Sequence, residues 1–491
     1  MPSRTPDIVP IGPRFRGQLL EPSELETLKQ GTLHLLDEVG LHVPLRRALE
    51  IFADHGARVN WEERIVQIPP DLVQEAMSTA PRSFVLGGRE ERFDLTLDGK
   101  NTYLCTDGTG VQVVDLATRE QRASCKEDVV MMARVCDALP MISFYWPPVS
   151  AQDYGPTAPL HQCHAGLTNT LKHVRGGMTI APPLAEYAVE MATVVAGSEE
   201  ERRRRSPICT NICTIAPLAH DDDGLETALT YGEAGIPTSF MAMPTMGSTA
   251  PATPLGAIVV GDAEVVSGMV LLQLAYPGTP VFHSIETSLM HPRTGGYIGG
   301  LALPLSMVAV QLAHSWGVPS LGGSGVSTDA PGLSWQTGSD AGWGAALLPV
   351  YGGEVCGYMG LVEGSMVLYP EKVLLDHELC RSAYDLAHGL QFDESAMALD
   401  VIRDVGPRGH FLAQPHTREH IRDFRLSRLL HEHTPEGKRR DPCEVALEEF
   451  RRIYETHEPE PLPDDVLKEL DRILEAAERE AAAGGDEGSS V

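Results

Sequence analysis

The chain lacks most of the signatures that mark an enzyme's chemistry. It has no CxxC pair, HExxH helix, Walker loop, G-x-S-x-G elbow or EF-hand loop, so zinc hydrolysis, phosphoryl transfer, acyl transfer and calcium sensing lose their usual supports. A Gly-rich dinucleotide fingerprint after the first strand is also missing. No run of about 18 uninterrupted apolar residues occurs, and the N-terminal stretch with Arg4, Arg14 and Arg16 holds no signal-peptide core. The expectation is a soluble, cytoplasmic protein with no membrane partner. Positive charge is scarce: 39 Lys and Arg against 68 Asp and Glu give a net charge of −29 over 491 residues. That field repels nucleic acid, and the one basic run, residues 202–205, directly follows Glu199, Glu200 and Glu201. The nine cysteines are odd in number and scattered, which suits reduced, buried thiols.

What is present is a rhythm. From about residue 124 onward a helical stretch ends near Gly or Pro and a short apolar strand follows at once, with strand starts near 141, 175, 208, 238, 280 and 319. A spacing of roughly 30 to 42 residues is that of βα units, and two further strands near 354 and 366 bring the count to eight. The reading is an α/β protein built on a (β/α)8 TIM barrel, with an N-terminal helical and β-hairpin cap and a C-terminal helical extension. A doubly wound open sheet has the same period. The expected divisions are a cap over 1–123, barrel core over 124–375, helical extension over 376–480 and a disordered tail over 481–491. In the cap, turn signals at Asp98-Gly99 and Asp107-Gly108 predict antiparallel hairpins outside the parallel core, placed to close one end of it. Near residue 124, Ser124 and Glu127 read as a capping pair for the first barrel helix; Ser23 and Glu26 read likewise for the first helix of the chain.

Residues 244–256 follow a strand-like run and precede a helix-like one, and they are rich in small, hydroxylated and Pro residues. In a barrel this is the strand-to-helix junction, where such enzymes place their chemistry. Other residues expected at strand ends are Trp146, Lys172, His173, Thr245, Ser248 and Glu286, then Asp329 and Gln336. Trp146 with Tyr145 could form an aromatic wall for a quaternary ammonium, which offers no hydrogen bond but is attracted to a ring face; plain core packing is the competing reading. The histidine groups at 161–164, 416–420 and 431–433 match no metal-ligand spacing.

Several further pieces occur in a specific order: Val113, Val114 and Asp115 with Thr118 and Arg119; Asn169 to Lys172; the 244–256 loop; Ala263 and Glu264; Gln273 with Pro277 and Gly278; Gln311, Leu312 and Ala313; Gln336; and residues 405–412 with His416 and Thr417. Together they resemble the trimethylamine methyltransferase superfamily, barrel enzymes that move a methyl group from a methylamine or betaine to a corrinoid protein. In founding members a pyrrolysine follows the glutamine corresponding to Gln336; here residues 337–342 contain neither it nor a lysine. The resemblance is therefore to the pyrrolysine-lacking branch, which includes glycine betaine methyltransferases.

That resemblance implies methyl transfer from a quaternary amine to cob(I)alamin, the cobalamin being supplied by a cognate corrinoid partner protein and no metal being bound by this chain. It implies a small quaternary or tertiary amine as ligand and a homo-oligomeric assembly. Trp146, Lys172, His173, Thr245 and Glu286 would bind substrate, with Lys172 or His173 on a carboxylate arm. Asp329 and Gln336 would position it, and Gly247, Ser248 and Thr249 would meet the corrin face. The chain departs from the family at 299–304, where a Gly-x-Pro-Glu element is absent, and near His291, where an acidic residue is missing. The alternative is a divergent, non-catalytic barrel that binds a methylated amine or a corrinoid protein.

Overall fold

The structure, a computed structural model, describes residues 4–487 except 109, 178–180, 300–302, 324, 390–391 and 425. Its centre is a curled, parallel seven-stranded sheet. The strands are β1 (Tyr103–Thr106), β2 (Ile142–Tyr145), β3 (His173–Gly177), β4 (Ile208–Cys213), β5 (Thr238–Ala242), β6 (Val281–Ile285) and β7 (Val355–Met359). They lie in the order β6-β5-β4-β3-β2-β1-β7. Each is short and almost wholly buried, as parallel strands covered by helices must be. Two single-residue parallel bridges, His283 to Ser320 and Leu321 to Val355, stand between the edge strands β6 and β7.

β1 corrects the expectation that everything before residue 124 lies outside the parallel core. Its hydrogen-bonded neighbours are β2 and β7, both parallel. The strand expected near 366 does not join this sheet. Val367–Leu368 returns on Leu361–Val362 after a tight turn through Glu363, Gly364 and Ser365, all at positive φ, and pairs with the ribbon of Gln112–Val114 and Gln121–Ala123.

Helices follow the strands in sequence. The one over Pro254–Ala275 is long and apolar enough to cross a membrane, but most of it is buried in the core. Its two carboxylates are bonded inside the fold: Asp262 accepts from Thr32 Oγ1 at 2.6 Å and Trp316 Nε1 at 3.1 Å and meets His283 Nε2 at 2.7 Å, while Glu264 accepts from Thr214 Oγ1 at 2.6 Å and Leu218 N at 2.8 Å. The Thr32 bond ties the first helix, Pro22–His34, to the helix Pro254–Ala275 that covers the sheet. The first helix is capped by Glu21 with Glu24, and Lys126–Asp137 by Cys125 with Asp128, so both capping pairs are displaced from the expected residues. Gly197 closes Pro182–Ala196 in the left-handed conformation that favours glycine.

The antiparallel ribbon of Phe84–Leu86 and Leu95–Leu97 packs across the N-terminal ends of the strands. Leu86, Leu95 and Leu97 form one buried cluster with Tyr103, Phe144, Phe282, Leu321 and Val355, and Phe84 stacks on Phe282 with ring centroids 5.4 Å apart. This end of the sheet is filled by an antiparallel ribbon, but one that turns through 87–94; the turn signals at Asp98-Gly99 and Asp107-Gly108 flank the parallel strand β1 instead. At the other end of the chain, Pro442–Thr456 and Asp464–Glu487 pack along the barrel-side helices, and Val466, Leu467, Leu470, Ile473 and Leu474 face that core. The helix runs to Glu487, where the sequence suggested a frayed tail from 481; residues 488–491 lie outside the described residues.

Candidate active site

The opposite, C-terminal ends of the strands surround a cavity of about 790 Å³. Such a volume falls in the usual range of small-molecule sites, roughly 300–1,000 Å³. Asp107 and Gly108 reach it from β1, Trp146 from β2, Asn211 and Cys213 from β4, Met241 and Met243 from β5, Glu286 from β6, and Tyr358 from β7. Ser327 and Asp329 enter from the segment after the Ser320 and Leu321 bridges, Tyr297 and Gly299 from the loop beyond β6, and residues 363–366 complete the rim. One chain thus delivers lining residues from nine separate stretches, because the curl of the sheet brings its strand ends together.

The lining has one sign of charge. Asp107, Glu286, Asp329 and Glu363 face the cavity, and no Lys, Arg or His is among the described lining residues. Three carboxylates are held in place: Asp107 Oδ2 accepts from Ser365 Oγ at 2.6 Å and its Oδ1 from Gly108 N at 2.8 Å, Glu286 Oε1 accepts from Gly323 N at 2.8 Å, and Asp329 Oδ2 accepts from Gly299 N at 2.8 Å. Burial pushes the Asp107 carboxyl up to about 7, the Ser365 and Gly108 hydrogen bonds opposing it. Aromatic surface comes from Trp146, Tyr297 and Tyr358. The Trp146 and Tyr358 rings meet edge to face at 5.6 Å.

Trp146 is fixed from several sides. Its backbone N–H donates to Thr106 Oγ1 at 2.8 Å, and its carbonyl accepts from the same hydroxyl at 2.6 Å. Its ring lies against Gly108, where a Cβ would come within 1.9 Å of Cε2. Arg175 Cζ stands 3.6 Å from the ring centroid.

Of the residues singled out from sequence, Trp146, Glu286 and Asp329 line the cavity. Lys172 and His173 sit at the start of β3, the filled end of the sheet, where the sequence reading had placed them beside a strand C-terminus. Lys172 Nζ donates at 2.7 Å to the carbonyls of Cys136 and Leu139, capping the helix Lys126–Asp137, and His173 Nδ1 bonds Gly87 O at 3.0 Å. Burial pushes Lys172 down to about 8 and His173 down to about 4. Neither is placed to touch a ligand in this cavity.

The 244–250 loop continues from Met243 at the mouth as a tight turn: Thr245 N donates to Thr249 Oγ1 at 2.9 Å, Thr245 Oγ1 meets Ser288 Oγ at 2.8 Å, and Gly247 holds φ 84°. Gly247 and Ser248 are exposed there and Thr249 half-buried. Gln336, near the start of the helix Trp335–Tyr351, is exposed and outside the lining. Of the altered stretch at 291–304, residues 300–302 lie outside the described residues; His291 Nδ1 accepts from the backbone of Arg293 and Thr294. No group of three or more His, Cys, Asp or Glu that could share a metal ion occurs among the described residues.

Asp107, Asn211, Tyr297, Tyr358 and Arg175 went unread in the sequence. Asp107 was taken as half of a hairpin turn.

The family model described as "Trimethylamine methyltransferase (MTTB)" matches residues 7–483. A trimethylamine methyltransferase MttB of Desulfitobacterium hafniense (strain DSM 10664 / DCB-2) is 31% identical over 469 residues, covering 93% of each chain. A glycine betaine methyltransferase of D. hafniense (strain Y51) is 27% identical over 417 residues, 83% of this chain and 85% of that one. A crystal structure of the Methanosarcina barkeri monomethylamine methyltransferase (MtmB) aligns over 94% of this chain and 92% of its own at 12% identity, with a TM-score of 0.43. A match that runs unbroken through cap, sheet and C-terminal helices leaves one assignment: this chain belongs to the trimethylamine methyltransferase (MTTB) family.

Proposed function

We propose that this chain is a methyltransferase that takes a methyl group from a quaternary, betaine-like amine and passes it to cob(I)alamin on a separate corrinoid protein. The observation that carries this reading is the lining itself: four carboxylates and three aromatic rings around one cavity, with no basic group among the described lining residues. An acidic wall attracts a cation, and ring faces hold a methylated one that has no N–H to donate. The glycine betaine methyltransferase relative supports the betaine-like choice, as does the absence of any lysine over 337–342.

The reading also takes the sheet to be a closed eight-stranded barrel. The Ser320 and Leu321 bridges would stand for its seventh strand, reduced to two residues between β6 and β7.

Demethylation of a quaternary nitrogen breaks one N–C bond and leaves the electron pair on nitrogen, so the departing tertiary amine needs no proton from the protein. Residues are then required only to hold the nitrogen and aim one methyl outward. Glu286 and Asp329, each anchored by a backbone N–H, are suited to that task. The corrinoid, when docked, supplies a strong two-electron nucleophile. Its broad macrocycle fits the mouth rather than the interior: Met243, Leu255, Tyr297 and Met366 are each about half exposed at or beside the rim, an apolar border for a flat partner. The 247–249 turn extends that border.

The test is a screen of glycine betaine, carnitine, proline betaine and trimethylamine as donors to reduced cobalamin, followed by the absorbance change of the cobalt centre. Transfer from a quaternary amine is expected. If none of the donors reacts and none binds by calorimetry, the reading fails; binding without transfer would favour the non-catalytic alternative.

A further inference from the structure

The fold buries four cationic side chains, Lys172, Arg175, Arg202 and Lys372, each at most 4% exposed. Three are provided for. Lys172 caps two carbonyls, Arg202 reaches Thr193 Oγ1 and the Ala234 carbonyl, and Lys372 Nζ pairs with Asp376 Oδ2 at 2.6 Å and Val326 O at 3.0 Å. Arg175 is the exception. It is 1% exposed, and Nε, Nη1 and Nη2 all lack a hydrogen-bond partner among the described residues. The Trp146 ring at 3.6 Å satisfies the charge in part but accepts none of the five N–H groups.

Arg175 is not itself a lining residue but packs against one, Trp146; of the groups its charge acts on, Cys213 and Tyr358 line the cavity and Cys105 and Cys209 lie in the core. Three more polar groups, in the lining, are unspent. Trp146 Nε1 and the Tyr358 hydroxyl have no partner; Asn211, fully buried on β4, leaves Oδ1 unpaired, and its Nδ2 finds only the sulfurs of Cys213 at 3.9 Å and Met241 at 3.8 Å. Tyr358 is moreover held at φ 55°, a conformation a tyrosine adopts only under constraint. The cavity lining therefore combines anchored carboxylates with unspent polar groups on Trp146, Asn211 and Tyr358, and Arg175 stands directly against the first of these.

We propose that Arg175, packed against the Trp146 ring, receives the carboxylate of the betaine-like ligand, with Asn211 of β4 as the second polar group of that subsite. This rests on the methylated-amine reading above and names the second half of the same site. A buried guanidinium offers a carboxylate two parallel, charge-assisted hydrogen bonds, and a ligand that brings the anion with it removes the cost of an unpaired buried cation.

Three probes separate the halves of the ligand: glycine betaine, tetramethylammonium (cation only) and 3,3-dimethylbutyrate (carboxylate with an uncharged carbon in place of nitrogen). Calorimetry on the full chain should show glycine betaine bound at least tenfold tighter than tetramethylammonium. R175M should weaken glycine betaine and dimethylbutyrate about 100-fold and leave tetramethylammonium unchanged, which also reports that the variant is folded; R175K should fall between. Equal wild-type affinity for glycine betaine and tetramethylammonium overturns the proposal even if R175M does not fold, and so does an R175M loss shared equally by all three probes. Arg175-dependent binding of dimethylbutyrate with no binding of either amine would uphold the carboxylate site and sink the amine reading instead.

Discussion

A single methyl group added at Gly108 should disturb the site more than its size suggests. In G108A the new Cβ would stand 1.9 Å from Trp146 Cε2, 2.0 Å from Nε1 and 2.3 Å from Cδ2. Carbon atoms rest about 3.5–4.0 Å apart, so the indole has to withdraw by about 1.5 Å or more. Its retreat is constrained: the Thr106 hydroxyl pins its backbone on both sides, Arg175 occupies a ring face, and Tyr358 meets its edge, which leaves the cavity itself as the open direction. Overpacking of this kind costs about 1–3 kcal/mol. Unfolding entropy near 2.1 cal/mol/K per residue is about 1 kcal/mol/K for a chain of this length, so the melting temperature should fall by only about 1–3 °C. Ligand affinity is the sharper readout, and a displaced Trp146 should lower it tenfold or more. The decisive assay is a double-mutant cycle read by urea unfolding: with W146L the clash is gone, and the cost of G108A should shrink by about 1 kcal/mol or more. A G108A cost that is the same in both backgrounds, or wild-type affinity in G108A, would refute the packing argument.

Asp107 carries a pH dependence of defined sign. Its folded value of about 7 lies above the unfolded value near 3.9, so its contribution to stability is fully present below about pH 4 and is lost as pH rises through about 7. D107N should flatten that part of the pH–stability curve, while wild-type affinity for a quaternary amine should rise through pH 7 as Asp107 ionises, by roughly tenfold, and D107N should lack the rise. Asp262 holds Thr32, His283 and Trp316 together from a fully buried position; D262A should cost about 3–5 kcal/mol, seen as a melting point several degrees lower with ligand affinity per folded molecule kept. Burial pushes Cys105, Cys136, Cys163 and Cys209 up to about 12, and only Cys125, Cys213 and Cys443 are partly exposed. A thiol reagent should therefore label at most those three in the native protein, and a bound ligand should protect Cys213, which lines the cavity; labelling of Cys105 without unfolding would contradict the structure.

The parallel sheet was legible because a period is a property of the whole chain, and six strand starts repeat it. β1 was not, since Tyr103, Leu104, Cys105 and Thr106 carry no helix before them and sit among true hairpins, so local turn signals outweighed the tertiary pairing with β2 and β7. The sixth strand was read near 319, where only Ser320 and Leu321 pair. Trp146, Glu286 and Asp329 were found by position alone, because each follows a strand. The same rule misplaced Lys172 and His173, for an error of a few residues in the bounds of β3 exchanges the two ends of the sheet. Arg175 escaped because its role depends on groups from β2, β4 and β7 that no local pattern brings together. Cys125 replacing Ser124 as a helix cap, and the last helix outlasting residue 481, show the same limit at element ends.

The ribbon of Leu86, Leu95 and Leu97 corks the chamber from behind, which turns architecture into kinetics. Among the described residues the mouth at the strand C-termini is the way in, and in the proposed reaction a carrier protein laid across it is also the door. Donor must be inside before the carrier lands, and the demethylated remnant can leave only once the carrier has gone. Initial rates should accordingly follow a compulsory order, with the spent amine competing against fresh donor for the free enzyme and against nothing else.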